Sequence, residues 1–102
     1  MTEEKKPCCG GKKTLRSPEQ KKKLLNRLAR IEGQVRGVRR MIEEDVYCAD
    51  VLTQSAAIAS AVDAFNREVL RAHIHSCVVR DIRAGEEGAA DELVRTLERL
   101  MR

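Results

Sequence analysis

From Cys48 to Ala84 the chain contains neither proline nor glycine, so nothing in this stretch forces a helix to break. Val51, Ile58, Val62, Phe65, Val69 and Leu70 give it apolar residues to bury. One helix over these residues would be roughly 55 Å long at about 1.5 Å per residue. A compact monomer of this size has a radius of gyration of only about 13 Å. A rod of that length does not hide inside one chain of 102 residues, and the expectation is that a second copy covers it.

The same stretch carries the residues with metal chemistry. His73 and Cys77 are four apart, so a helix sets them on one face, one turn from each other. Cys48 lies 25 residues before His73 (73 − 48), or roughly 37 Å along a straight helix, out of reach within its own chain. Two copies packed antiparallel about a two-fold axis bring Cys48 of one beside His73 and Cys77 of the other. The axis would cross near residues 62 and 63. Just before it, Ala56-Ala57-Ile58-Ala59-Ser60-Ala61 offers small residues that let two backbones approach. The expectation is an obligate dimer with two intersubunit sites, one per protomer.

Two thiolates and one imidazole suit Cu(I), and less uniquely Zn(II). A structural zinc site usually takes four protein ligands, and three satisfy trigonal Cu(I). The plainer alternative makes Cys48 and Cys77 ordinary apolar residues and His73 a surface one. His75 is two residues from both His73 and Cys77, so it faces elsewhere and is read as non-ligating. The thiols also leave open a redox or sulfur-species sensor, with Cys48 and Cys77 of opposite chains reacting.

Composition narrows the class. The chain is 35% charged, with one Tyr, one Phe and no Trp, which suits helices better than a sheet and leaves a thin core. No apolar run is long enough for a membrane span and no signal-peptide pattern precedes the charged N-terminus, so the expected location is cytoplasmic. Four cysteines without an export signal read as reduced thiols rather than a disulfide framework. Residues 1–40 hold 13 Lys or Arg against 4 Asp or Glu, a net of +9, and residues 41–102 hold 7 against 12, a net of −5. A basic first third on an acidic remainder points to a polyanion-binding surface, here nucleic acid. No glycine-rich phosphate loop and no nucleophile–base set appears, so an enzyme is not expected.

Along the chain, residues 1–16 read as a disordered tail and residues 17–102 as one all-helical domain. Cys8-Cys9 in the tail is read as incidental. Ser17 caps a first helix, Pro18 suits its first position and Gln20 completes a capping box. Leu24, Leu28, Ile31, Val35, Val38 and Ile42 follow at heptad spacing and should form its buried seam. Lys21, Lys22, Lys23, Arg27, Arg30, Arg36, Arg39 and Arg40 lie on the other faces. Gly33 and Gly37 are expected to permit close packing against another helix. Asp45 is the expected cap of the second helix, which should stop at Gly85. A third helix from about Glu87 to Met101 shows Ala90, Leu93, Val94, Leu97 and Met101 as its stripe. The fold class is all-α, with three helices per protomer and an antiparallel four-helix-bundle dimer.

Asn26-Arg27-Leu28-Ala29-Arg30-Ile31-Glu32-Gly33-Gln34-Val35-Arg36-Gly37, then Tyr47-Cys48, then His73-x-x-x-Cys77, resemble the copper-sensitive operon repressor (CsoR) family, and within the CsoR/RcnR metal-sensing repressors its copper-sensing branch. The likeness runs from about residue 18 onward. It implies an all-helical fold without a helix-turn-helix and dimers that pair into tetramers. It also implies a repressor that leaves operator DNA on binding Cu(I), releasing copper-efflux genes. Retention of Cys77 and the lack of any histidine before His73 match the copper branch rather than its nickel, cobalt or formaldehyde relatives. The presence of His73 separates it from the persulfide sensors. By resemblance Cys48, His73 and Cys77 are the Cu(I) ligands, and Tyr47 and Glu92 support the ligating histidine. Arg27 and Arg67 match positions implicated in operator binding, while a further basic position of some relatives is Ala64 here. A copper chaperone is a candidate metal donor.

Overall fold

The computed structural model describes residues 14–101. Cys8-Cys9 and most of the expected tail fall outside the described residues, and residues 14–16 carry no regular structure. Among the described residues every element is helical: α1 (Pro18–Glu43), α2 (Cys48–His73), a π-helical turn (Ile74–Val78), α3 (Val79–Arg83) and α4 (Ala89–Leu100). The backbone passes from α2 through the π turn into α3 without leaving the right-handed helical region at His73, Val78 or Val79. The expected long second helix is therefore present, but one of its turns is widened. The chain divides into two compact units, one spanning Ser17–Glu68 and the other running from Val69 onward.

In the first unit, α1 starts where the sequence expects. Ser17 is extended, and its hydroxyl accepts the Gln20 N–H at 3.1 Å. Pro18 follows, in a position where its missing N–H costs nothing. The helix ends on two paired bonds, Asp45 N–H to the Ile42 carbonyl at 3.1 Å and Val46 N–H to the Met41 carbonyl at 2.9 Å. This is a Schellman ending with Asp45 in the left-handed conformation, φ 56°. Asp45 thus closes α1 rather than capping α2, a correction to the sequence reading. Its short polar side chain tolerates positive φ better than most.

Burial is sparse. The buried residues among those described are Leu24, Cys77, Val78 and Asp81. Of the expected α1 seam only Leu24 is buried, while Val35 is 49% and Ile42 60% exposed. No residue of α2 is buried. The seam is amphipathic as expected, yet the described residues do not cover it. Gly33 and Gly37 make no close approach to the described residues either. Among these, a Cβ at Gly33 would meet the Arg36 guanidinium at 3.9 Å, and one at Gly37 would meet nothing within 4 Å.

In the second unit the π turn, α3 and α4 pack on one another. Gly85 ends α3 as expected, with φ 79° and a second Schellman pair: Gly85 N–H to Ile82 at 3.1 Å and Glu86 N–H to Asp81 at 2.9 Å. Gly88, φ 87°, is the N-cap of α4, whose first residue, Ala89, comes two positions after the expected Glu87. The inward face of α4 is also turned by one position. Ala89, Glu92, Leu93, Thr96 and Leu97 are half-buried, whereas Ala90, Val94 and Met101 of the expected stripe are exposed. The Thr96 hydroxyl makes its residue tolerable there by donating to the Glu92 carbonyl at 3.0 Å.

Candidate metal centre

Cys48 is the first residue of α2 and is exposed, as is Tyr47 before it. His73 is the last residue of α2 and is half-buried. Cys77 lies in the π turn with 1% of its surface exposed. The sequence expects His73 and Cys77 one α-turn apart. The structure instead joins them through a wider ring, closed by the Val79 N–H on the Ile74 carbonyl, an i→i+5 bond. Nothing in the apolar spacing signals that turn, since π-bulges are single-turn events with no periodicity of their own. His75 is exposed, in keeping with its reading as a bystander.

The surroundings of the turn come from α4, which packs directly on it. Glu92 is half-buried in the first turn of α4, its N–H bonded to the Gly88 carbonyl at 2.9 Å. Two features escaped the sequence reading. Asp81 is buried one turn beyond Cys77, its carboxylate 3.8 Å from the Arg80 Nε. The Ser76 hydroxyl donates to the Ala72 carbonyl at 2.6 Å and lies 4.0 Å from the Cys77 sulfur. A serine four residues after a helical carbonyl is the only cue the sequence gives for the latter. Among the described residues, no three His, Cys, Asp or Glu side chains gather into a group able to hold a metal ion.

The donors nonetheless fit a soft cation. A buried thiol at Cys77, an imidazole four residues before it at His73 and an exposed thiol at Cys48 offer two sulfurs and one nitrogen. That set favours Cu(I) over harder divalent ions.

The basic residues named from the sequence lie along α1 and on α2. Lys21, Lys22, Lys23, Arg30 and Arg36 are exposed on α1, as is Arg67 on α2. Arg27 is half-buried and lines a groove of about 440 Å³ with Arg30, Ile31, Gly33, Gln34 and Ala61.

Residues 20–99 match the model of the metal-sensitive transcriptional repressor family. The copper-sensing transcriptional repressor RicR of Mycobacterium tuberculosis is 48% identical over 75 residues, covering 74% of this chain and 78% of that protein. The copper-sensing transcriptional repressor CsoR of Bacillus subtilis is 42% identical over 80 residues, covering 78% of this chain and 79% of that one. Among solved structures, the copper-sensing repressor CsoR with Cu(I) from Geobacillus thermodenitrificans superposes with a TM-score of 0.83 at 37% identity, covering 87% of this chain and 94% of that one. The nickel-responsive transcriptional regulator InrS superposes with a TM-score of 0.71 at 40% identity, covering 85% and 99%. The chain belongs to the metal-sensitive transcriptional repressor family. The membership makes it a regulator of transcription and not an enzyme, as the sequence reading expected.

Proposed function

We propose that this chain is a Cu(I)-responsive repressor that holds operator DNA without metal and releases it when Cu(I) binds, derepressing copper-efflux or resistance genes. The observation that carries the reading is the donor set Cys48, His73 and Cys77 in a chain 48% identical to a copper-sensing repressor. Overall likeness alone does not choose the metal, because a nickel-responsive regulator is 40% identical. The donor set supports copper, since two thiolates and one imidazole suit three-coordinate Cu(I), whereas square-planar Ni(II) takes four donors.

The site is completed between chains. Cys48 comes from one protomer and His73 with Cys77 from its partner, giving one Cu(I) per protomer. The bare α2 and the half-covered α1 seam support a four-helix-bundle dimer, and pairs of dimers form a tetramer. Tyr47 and Glu92 support the His73 ring. Residues 17–102 act as one metal-sensing and DNA-binding domain, working in the cytoplasm with a copper chaperone as donor. No helix among the described residues is long and apolar enough to cross a membrane.

DNA is held by Lys21, Lys22, Lys23, Arg27, Arg30, Arg36 and Arg67 through phosphate contacts, so affinity falls steeply with salt. Tying Cys48 to the other chain's ligands favours an assembly in which these basic faces no longer match the duplex. By linkage, DNA weakens metal binding by the same factor that metal weakens DNA binding, typically about 5- to 150-fold. The thiol-redox reading finds no support in the geometry, since Cys77 is shielded from oxidants at 1% exposure.

The test is His73→Ala, followed by anisotropy of a labelled operator fragment under anaerobic Cu(I) titration. The variant keeps two thiolates and binds copper more weakly, yet stays on the DNA at saturating metal. Release as complete as wild type would show that the imidazole does not couple metal to DNA.

A further inference from the structure

We infer that Ser76 is a positioning residue for the metal-binding turn: its hydroxyl, clamped on the Ala72 carbonyl, holds open the π turn that seats Cys77 in the interior. The inference rests on the copper reading for its purpose but not for its geometry.

Three hydroxyls in this protein reach back four residues to a helical carbonyl. Thr53 bonds Ala49 at 2.9 Å, Thr96 bonds Glu92 at 3.0 Å and Ser76 bonds Ala72 at 2.6 Å. Such a bond draws the carbonyl away from the helix axis and loosens the local ladder. At Thr53 and Thr96 the helix remains regular, so the hydroxyl alone does not widen a turn. Ser76 differs in two respects. Its bond is the shortest of the three, and the two residues after it, Cys77 and Val78, are buried at 1% and 4%. Burial against α4 and α3 pulls these side chains inward, and the loosened ladder at Ala72 lets the backbone yield by one residue. The i→i+5 bond from Val79 to Ile74 then closes the wider ring.

The consequence is geometric. In a regular helix the bite between His73 and Cys77 is fixed by i,i+4 spacing. In a π turn that bite is different, and Cys77 is fixed by its own packing rather than by the metal. One of the three donors is thereby held in place before metal arrives, which lowers the ordering cost of binding. The Ser76 Oγ is also 4.0 Å from the Cys77 Sγ; with its one proton on the Ala72 carbonyl, it can only accept, weakly, from the protonated thiol.

The experiment uses the full-length protein as Ser76→Ala and Ser76→Thr. The first readout is metal-free: the rate at which Cys77 is alkylated by iodoacetamide, resolved from Cys48 and the tail cysteines by peptide mass spectrometry. Loss of one hydrogen bond from a local opening equilibrium gives roughly a three- to tenfold faster Cys77 reaction in Ser76→Ala. Cys48 serves as the unchanged control, and Ser76→Thr keeps the wild-type rate. The second readout is Cu(I) affinity in competition with a chelator, which weakens by a similar factor in Ser76→Ala and is rescued in Ser76→Thr. An unchanged Cys77 rate in Ser76→Ala overturns the inference, as does a Ser76→Thr that behaves like alanine. If wild type fails to bind Cu(I) while the alkylation pattern holds, the copper reading fails and the positioning role stands.

Discussion

Over the 26 residues of α2 no side chain is buried, whereas two of the five residues in the π turn after it are. The two stretches are consecutive and both contain Val, Ile and small residues. Apolar content therefore does not explain the difference. The π turn has α4 packed on it, and the exposed apolar residues of α2, Leu52 and Val62 among them, are not covered by the described residues. One region is finished by its own packing and the other is bare among the described residues. In the proposed assembly this division runs through the metal site itself: His73 and Cys77 belong to the finished turn, and Cys48 to the exposed start of α2.

The largest effect that could break this comparison comes from mixing two disabled chains. Cys48→Ala and Cys77→Ala homodimers should each lose Cu(I) response, because every site lacks a thiolate. Equilibrated together, half the dimers become mixed, and each mixed dimer holds one site with Cys48 from one chain and His73 and Cys77 from the other. About a quarter of wild-type Cu(I) capacity should return under random exchange. A site built within one chain would give no recovery at all, and anaerobic titration of the mixture distinguishes the two.

The next effect is on assembly. Val62 is 38% exposed here and lies where the two-fold axis is expected to cross. Val62→Asp would place two carboxylates against each other at the centre of the pairing. An unpaired charge in such a site costs about 3–5 kcal/mol, enough to dissociate a marginal assembly. Sedimentation equilibrium should show monomer, with helix content falling in parallel. A variant that stays dimeric and melts like wild type would mean that α2 pairs elsewhere.

The same division accounts for what could be read in the sequence. Local chemistry was legible: Ser17-Pro18 starts α1, Gly85 ends α3, and the Pro- and Gly-free run is helical from Cys48 to Arg83. The three-helix, strandless class followed from these signals, and the family from the motifs placed on them. Packing was less legible. The α4 stripe was read one position off because Ala90 and Val94 are apolar in sequence, yet Glu92 and Thr96 take the inner face. The polar part of Thr96 is satisfied by its own helix, so the residue can turn inward. The π turn was invisible because it goes with tertiary packing, the burial of Cys77 and Val78 in a turn packed on α4, together with a hydroxyl whose direction no periodicity reports. The donor residues could be named from spacing and resemblance, but the ring joining two of them could not.

The smallest effect tests a helix end inside each unit rather than the units' surfaces. α1 and α3 end on the same pair of hydrogen bonds, but Asp45 fills the left-handed position in one and Gly85 in the other. A side chain at positive φ costs about 1–2 kcal/mol in general and less for Asp, which bonds locally. Asp45→Gly should therefore stabilise the protein by a few tenths to about 1 kcal/mol, the gain from relieved φ being partly offset by greater freedom of the unfolded chain. Gly85→Asp should destabilise by a similar amount. Melting is compared at one protein concentration, because an oligomer's Tm depends on it. If Asp45→Gly lowers the Tm instead, the Asp45 carboxylate makes a contact worth more than the strain. The turn between α1 and α2 would then be held by its side chain, and the one before α4 by backbone geometry alone.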